Sequence, residues 1–247
     1  VAMTGTDLYR DMGDRDALRS VHIADRIVVL QPDGIRFLPT GEQHKALAIA
    51  QSATKIAAVA PRKRTFDVCV VGHLRAVKDP FRCALAARAL PATSRLRVLH
   101  IGGALSPQFG ARARALSDSE PRYSWLGECA HNQARRHIAR SRLLVVSSKM
   151  EGGANVVAEA IVSGTPVVST RISGSIGQLG SDYPGFFEVG DTAGLTDLLQ
   201  RAEADAGFLK LLTRRCARLA PKLTPARERL AWKKLLATLG AKGASSR

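Results

Sequence analysis

Two glutamates that could bind a hydroxyl-bearing ligand lie eight positions apart in the stretch 147–169, SSKMEGGANVVAEAIVSGTPVVS. Glu151 precedes two glycines, and Glu159 falls about one turn into a helix that we predict to begin near Asn155. Side chains on a helix lean towards its N-terminus, so Glu159 can reach a ligand that also contacts Glu151. Ionised carboxylates accept hydrogen bonds from hydroxyl groups, which makes sugars suitable ligands. Taken alone, the same spacing also occurs between glutamates on helix surfaces.

The segment between these glutamates is suited to an anion. A hydrophobic strand ends in Ser147 and Ser148, two glycines follow, and the first turn of the helix carries no charge that would repel a negative ligand. The backbone N–H groups at a helix N-terminus and the positive end of the helix dipole attract phosphate groups. A ligand with both phosphates and hydroxyl groups, such as a nucleotide sugar, satisfies the loop and the carboxylates together.

A basic loop follows an earlier predicted strand, in the sequence VVGHLRAVKDP at 70–80. It carries His73, Arg75 and Lys78 at the carboxyl end of that strand, which is the edge where open α/β sheets bind ligands. Cations at that edge can neutralise the charge that builds up on a departing diphosphate. A solvated basic loop without a ligand is an equally good interpretation of these residues alone.

These segments belong to an alternation of short β-branched runs and longer helical patterns that starts near residue 66, which is typical of βαβ units around a parallel sheet. The predicted strands cover 66–71, 96–101, 123–126, 143–147, 166–170 and 186–189. The predicted helices between them cover 80–90, 107–116, 132–140, 155–163 and 192–204. Upstream we predict a helix at 16–25, strands at 27–30 and 47–50 and a linker at 54–65, and downstream two helices at 206–220 and 225–239. The expected fold class is therefore α/β, with a doubly wound parallel sheet.

The net charge of +16 on 247 residues raises the alternative of a protein that binds nucleic acid. The charge is uneven along the chain, with +12 in 61–150, −5 in 151–200 and +9 in 201–247. Aromatic residues make up only 5% of the chain, and they do not alternate with Arg or Lys as a surface that stacks single-stranded bases requires. We therefore expect no nucleic-acid partner, and a non-catalytic basic binding module stays as the alternative.

The chain contains four cysteines, Cys69, Cys83, Cys129 and Cys216, and none forms a C-x-x-C pair. Scattered thiols of this kind fit a reducing cytoplasm better than a disulfide framework. We expect no metal site, because the spacing around Cys129 matches no common ligand pattern and because Asp14 and Asp16 are better placed to cap a helix. We also expect no membrane span, since no apolar run approaches the roughly 20 residues that a span needs.

Four segments together resemble a known family. VGHLRAVKDP, HIGG, WLGE and the stretch 147–169 follow one another as in the C-terminal donor domain of glycosyltransferase family 4, including its E-x7-E signature. The resemblance covers about residues 66–200 and implies the two-domain GT-B fold. It also implies transfer of a sugar from a UDP-sugar donor, without a metal or another cofactor. A UDP-sugar epimerase of the same fold is the alternative that the resemblance leaves open.

The resemblance also implies roles for individual residues. Glu159 falls on the glutamate that holds the ribose hydroxyls of the donor, and Glu151 falls on the one that contacts the donor sugar. The loop amides that bind the diphosphate fall on Gly153, Ala154, Asn155 and Val156.

The family's basic motif, usually G-R-L-x-x-x-K, is altered in this chain. Lys78 matches the lysine, but His73 occupies the arginine position and Arg75 comes two residues later. Either His73 or Arg75 therefore serves the diphosphate. We expect Arg75, Lys78 and Glu151 to be the catalytic residues, with His73 as a donor-binding residue.

A finer resemblance lies in TGTDLYRD, GHLRAVKDPF, EGGANVV and RISGSIGQLGSDYPGFFEVGDT. These segments are similar to the selenosugar synthases of selenoneine biosynthesis, a branch of family 4. The similarity implies transfer of N-acetylglucosamine from its UDP-sugar to a small anionic acceptor, selenophosphate, and such an anion is attracted to a cleft with excess positive charge. Thr6, Asp7 and Arg10 are the candidate residues on the acceptor side.

Enzymes with the GT-B fold bind the acceptor mainly through an N-terminal domain. We divide the chain into a partial N-terminal Rossmann-like domain at 1–60, a nucleotide-sugar domain at 61–204, helices at 205–240 that pack back onto both, and a frayed tail at 241–247. Residues 1–60 supply less than half of an N-terminal domain. A fragment that binds the donor without turning it over is therefore a second expectation for this chain.

Overall fold

The larger of two parallel sheets holds six strands, in a computed structural model that describes residues 1–56 and 59–244. The strands are β4 (Phe66–Val71), β5 (Leu96–Ile101), β6 (Tyr123–Gly127), β7 (Leu143–Val146), β8 (Val167–Thr170) and β9 (Phe186–Phe187). Their order is β6-β5-β4-β7-β8-β9, and every neighbouring pair is parallel. The central strands are buried on both faces, which explains their runs of Val and Leu.

Helices cover both faces of this sheet. They are α3 (Arg82–Arg88), α4 (Pro107–Ser119), α5 (His131–Arg140), α6 (Asn155–Ser163), α7 (Ser173–Leu179) and α8 (Thr192–Ala204). Helix α4 begins where Ser106 accepts a hydrogen bond from the Phe109 amide, and Pro107 occupies the first helical position. Helix α6 ends at Gly164, whose φ of 80° lies in the left-handed region that glycine tolerates.

The strand order reverses beside β4. The chain runs outwards from β4 to β5 and β6 and then returns to pair β7 with the other side of β4. The loops that follow β4 and β7 therefore leave the sheet side by side at its carboxyl edge, which is the position where doubly wound sheets bind ligands. This topology brings the basic loop together with the loop between β7 and α6, residues 147–154, which we call the Glu151 loop.

A smaller parallel sheet, of order β1-β2-β3, precedes the larger one. It is made of β1 (Ala2–Met3), β2 (Ile27–Val29) and β3 (Ala46–Ala48), with helices α1 (Gly5–Tyr9) and α2 (Arg15–Ile23) between the first two strands. Its core is a separate apolar cluster of Met3, Leu8, Val21, Ile27, Val29 and Leu38. We call residues 1–48 the N-terminal unit.

Two further helices follow α8, namely α9 (Ala206–Ala217) and α10 (Pro225–Ala244). The last one returns to the N-terminal unit, where Leu235 forms a buried cluster with Val28 and Ile49 and Trp232 packs against it. At the start of α10, Glu228 accepts hydrogen bonds from the Ser52 amide (2.9 Å) and hydroxyl (2.5 Å). Helix α10 thereby ties the segment after β3 to the end of the chain.

Among the strands and α-helices, three short ones lie where the sequence predicted none: β1, α1 and α7. The two-residue β1 and five-residue α1 are too short to show a period, and α7, SGSIGQL, contains two glycines that disfavour a helix. Helix α10 includes 241–244 of the predicted tail, and 245–247 lie outside the described residues.

Candidate active site

A cleft of about 420 Å³ lies between the carboxyl edge of the larger sheet and the N-terminal unit. The basic loop contributes His73, Arg75 and Lys78, the loop after β7 contributes Glu151, Gly153, Ala154, Asn155 and Val156, and the N-terminal unit contributes Thr4, Gly5, Thr6 and Leu30. Gln51, just beyond β3, completes the side that faces the sheet. The structure therefore brings most of the predicted site residues to one cavity.

An ion pair between Lys78 and Glu151 joins the two loops across the cleft. Both side chains are mostly buried, with 23% of Lys78 and 12% of Glu151 exposed. The Ser148 hydroxyl donates a second hydrogen bond to the same Glu151 oxygen, Oε1, over 2.6 Å. Lys78, predicted to bind the diphosphate, and Glu151, predicted to contact the donor sugar, are thus in direct contact with each other.

The end of β7 also fixes the backbone of the basic loop. The Ser147 hydroxyl lies 3.1 Å from the Lys78 carbonyl and 3.0 Å from the Asp79 carbonyl. Asp79 has a φ of 43°, in the left-handed region that non-glycine residues rarely adopt, and its carboxylate accepts a hydrogen bond from Arg82 Nε (2.8 Å). These contacts hold a strained turn directly after Lys78.

A buried histidine, His100, lies on β5 beside the strand that leads into the basic loop. Its Nδ1 lies 2.9 Å from the Tyr123 hydroxyl. Burial lowers the pKa of His100 to about 4, so its imidazole is neutral near pH 7. Gly102 packs so closely on the Gly72 carbonyl that no Cβ fits there, and this contact restricts how closely the basic loop can approach the sheet.

The start of α6 presents backbone amides to the cleft. Asn155 and Val156 are its first two residues, whose N–H groups have no acceptor within a helix, and the first turn carries no acidic side chain. Ala154 is held by Gln178, which accepts from the Ala154 amide (3.0 Å) and donates to its carbonyl (3.2 Å). The Ala154 amide is therefore engaged within the protein, and the amides of the next two residues are better placed for an anion.

Glu159 lies just behind the cleft lining. Its side chain is 4% exposed, and its Oε1 is 2.5 Å from His131 Nε2 and 3.5 Å from Asn155 Nδ2. Asn155 lines the cleft, so the Asn155 side chain lies between Glu159 and the cleft. His131, the exposed first residue of α5, was not among the predicted site residues, since no sequence spacing relates it to Glu159.

Only one of the three predicted acceptor-side residues, all of which lie on or next to α1, lines the cleft. Thr6 lines the cleft, but Asp7 accepts hydrogen bonds from the Thr4 amide (2.8 Å) and hydroxyl (2.7 Å), which lower the pKa of Asp7. Arg10 pairs with Asp11 at the surface. Asp7 and Arg10 therefore lie outside the lining of the cleft, and Asp7 caps α1.

The side chains that line the cleft are not arranged around a metal. Across residues 1–56 and 59–244, no three His, Cys, Asp or Glu side chains converge in a group that could hold an ion. Asp14 caps α2 by accepting a hydrogen bond from the Asp16 amide (2.8 Å). Within the described part of the chain, no helix is both long enough and apolar enough to cross a membrane.

Comparison with known families identifies the chain. Residues 51–218 match the family of group 1 glycosyl transferases, and this match covers more than half of the sequence. The chain belongs to the group 1 glycosyltransferases. The matched residues include the whole larger sheet, both loops of the cleft and all of α9.

Several solved structures share this fold. The Anabaena protein HepE, solved with UDP and glucose, is 15% identical, with a TM-score of 0.78 over 94% of this chain and 69% of that one. Sucrose-phosphate synthase from Thermosynechococcus elongatus is 21% identical, with a TM-score of 0.76 over 94% of this chain and 64% of that one. A TarM variant from S. aureus, solved with Fondaparinux, alpha-GlcNAc-glycerol and UDP, is 14% identical, with a TM-score of 0.74 over 95% of this chain and 50% of that one. A search of curated protein sequences found no match.

These likenesses confirm the predicted fold class, α/β with parallel sheets in a GT-B-like arrangement. The chain spans between 50% and 69% of the lengths of the three proteins.

Proposed function

We propose that this chain binds a UDP-sugar in the cleft and transfers its sugar, without a metal, to a small anionic acceptor. The observation that carries the proposal is the meeting of Lys78, Glu151 and the first amides of α6 in one cavity of a group 1 glycosyltransferase. The cations and amides suit a diphosphate, and the carboxylate suits sugar hydroxyls. Two of the similar structures were solved with UDP, which supports UDP as the nucleotide.

The proposed chemistry consists of positioning and charge stabilisation. The anionic acceptor attacks C1 of the donor sugar, a new bond to C1 forms, and the bond between C1 and the diphosphate oxygen breaks. The electron pair of that bond stays on UDP, where Lys78, Arg75 and the amides at 155–156 stabilise it. An acceptor that is already an anion needs no enzymatic base, so the cleft requires no further proton acceptor.

For the acceptor, we propose selenophosphate, with N-acetylglucosamine as the sugar that is transferred. The support lies in the similarity of TGTDLYRD, EGGANVV and neighbouring segments to the selenosugar synthases. The +12 charge of residues 61–150, which include the basic loop, favours the approach of a small anion. Thr6 is the predicted acceptor-side residue that faces the cleft.

Titration with UDP tests the donor site. We expect Lys78→Ala to weaken UDP binding by about tenfold to a hundredfold, because it removes a hydrogen bond to a charged group. The variant also leaves Glu151 facing the diphosphate without its cation. Lys149→Ala is the matched control, since Lys149 lines a different groove beyond Glu151 and its side chain is exposed. Equal affinities of both variants and the wild type would remove Lys78 from the site.

A comparison of UDP with 2′-deoxy-UDP tests Glu159. If Glu159 holds the ribose hydroxyls, the wild type prefers UDP and Glu159→Ala loses most of that preference.

Mass spectrometry of the products separates the proposed reaction from its alternatives. UDP-N-acetylglucosamine with selenophosphate should give UDP and a selenosugar, whereas an epimerase would convert the donor sugar when no acceptor is present.

A further inference from the structure

Ser148 holds the carboxylate that faces the cleft. It lies two residues beyond the end of β7 and is buried, with 2% of its surface exposed. Its hydroxyl donates to Glu151 Oε1 over 2.6 Å, three residues along the chain. The hydroxyl thus reaches out from the core of the sheet to a side chain at the edge of the cavity.

Ser148 is itself fixed by the neighbouring strand. Its carbonyl accepts a hydrogen bond of 2.6 Å from the Thr170 hydroxyl, and Thr170 is fully buried at the end of β8. The hydroxyl that contacts Glu151 therefore comes from a rigid part of the protein. A donor on a buried, hydrogen-bonded backbone loses little conformational entropy when it binds its acceptor.

The two partners of Glu151 Oε1 differ in their freedom to move. Lys78 is a point charge on a flexible four-carbon stem, and the proposed function gives it a second ligand, the diphosphate. When Lys78 turns to the diphosphate, its hydrogen bond to Glu151 weakens or is lost. The Ser148 hydroxyl then remains as the contact that sets the direction of the carboxylate.

We propose that Ser148 is a positioning residue that keeps the Glu151 carboxylate directed at the donor sugar while Lys78 binds the diphosphate. This inference rests on the proposed function. A purely structural serine would weaken ligand binding whether or not Glu151 is present, since every ligand needs a folded cleft. A positioning serine acts through Glu151, so its effect disappears when the carboxylate is removed.

Calorimetric titration of Ser148→Ala with UDP and with UDP-N-acetylglucosamine tests this difference. We expect the affinity for UDP-N-acetylglucosamine to fall about tenfold, as for the loss of one hydrogen bond to a charged group, and the affinity for UDP to fall as well, because the carboxylate then loses its remaining partner. Ser148→Cys keeps a weak donor of similar size and should recover part of the loss. Ser163→Ala is the control, because the Ser163 hydroxyl, near the far end of α6, has no hydrogen-bond partner in the described part of the chain.

A double-mutant cycle with Glu151→Ala shows whether Ser148 acts through the carboxylate. In the Glu151→Ala background, Ser148→Ala should change neither affinity. An effect of Ser148→Ala that persists without Glu151 would overturn the inference and leave the proposed function intact. A wild-type protein that binds neither ligand would instead refute the proposed function, and the role of Ser148 with it.

Discussion

The N-terminal unit and the Glu151 loop touch through two glycines, and an alanine at either position should force them apart. A Cβ on Gly152 would stand 2.5 Å from the Gly5 amide nitrogen and 2.9 Å from Gly5 Cα. A Cβ on Gly5 would likewise stand 2.5 Å from the Gly152 nitrogen. These neighbours are main-chain atoms, so no side-chain rotation can relieve the overlap. Neither glycine has a positive φ, and the whole penalty of Gly152→Ala is therefore steric.

The size of the effect follows from this geometry. Ordinary contact begins near 3.4 Å, so the two backbones must separate by about 0.9 Å, from 2.5 to 3.4 Å. Overpacking of this kind typically costs about 1–3 kcal/mol of unfolding free energy. The same movement shifts the loop that leads to the amides at 155–156. We therefore expect UDP to bind about tenfold more weakly, the equivalent of one charge-assisted hydrogen bond.

Urea unfolding and calorimetric titration with UDP measure both effects. Gly13→Ala is the matched control, because a Cβ at Gly13 meets nothing within 4 Å, and we expect it to be neutral or slightly stabilising. Once Gly152→Ala has separated the backbones, Gly5→Ala has space, so the double variant should cost less than the sum of the two single variants. Additive losses, or a Gly152→Ala protein as stable as Gly13→Ala, would refute the close contact.

Three further results are expected. Burial holds the pKa of His100 near 4, whereas the unfolded chain takes up that proton near pH 6.5. The free energy of unfolding should therefore fall as the pH drops from about 6.5 to 4. Urea unfolding at pH 7 and pH 4 should show that His100→Phe removes on the order of 3 kcal/mol of this fall. Of the four cysteines, Cys129 is partly exposed, and burial raises the pKa of the other three thiols. Ellman's reagent should therefore titrate one thiol rapidly in the folded protein and four in denaturant. Rapid reaction of two or more thiols in the folded protein would contradict the burial pattern. Glu228→Ala should cost about 1–3 kcal/mol through the loss of both Ser52 hydrogen bonds, whereas Glu188→Ala, at an exposed ion pair, should cost close to nothing in the same assay.

The larger sheet could be predicted because its central strands are buried on both faces. Runs such as 66–71 and 143–147 are nearly continuous in β-branched and apolar residues, and glycine or proline marks the helix boundaries between them. Once these strands are parallel, the loops after them must leave at one edge. That geometry is enough to place Lys78 near Glu151 without knowledge of any individual contact.

The remaining contacts of the site depend on pairs of residues with no fixed spacing. His131 meets Glu159 because α5 and α6 pack side by side, and the Ser148 hydroxyl reaches Glu151 because of how the loop leaves β7. Asp7 and Arg10 were predicted near the acceptor from a resemblance that gives chain position but not side-chain direction. In the structure, Asp7 serves the cap of α1 and Arg10 turns towards Asp11. Local hydrogen bonds decided both cases.

The ion pair between Lys78 and Glu151 gives the cleft a basis for selecting its ligand. Among the described residues that line the cleft, Glu151 supplies the only carboxylate, so any anion that binds Lys78 competes with it. A bare diphosphate would satisfy Lys78 and leave a mostly buried carboxylate with Ser148 as its remaining partner. A nucleotide sugar offers phosphate oxygens to Lys78 and hydroxyl groups to Glu151, so both members of the pair exchange one partner for another. Because an unpaired buried charge is costly, this exchange favours diphosphates that carry a sugar over those that do not.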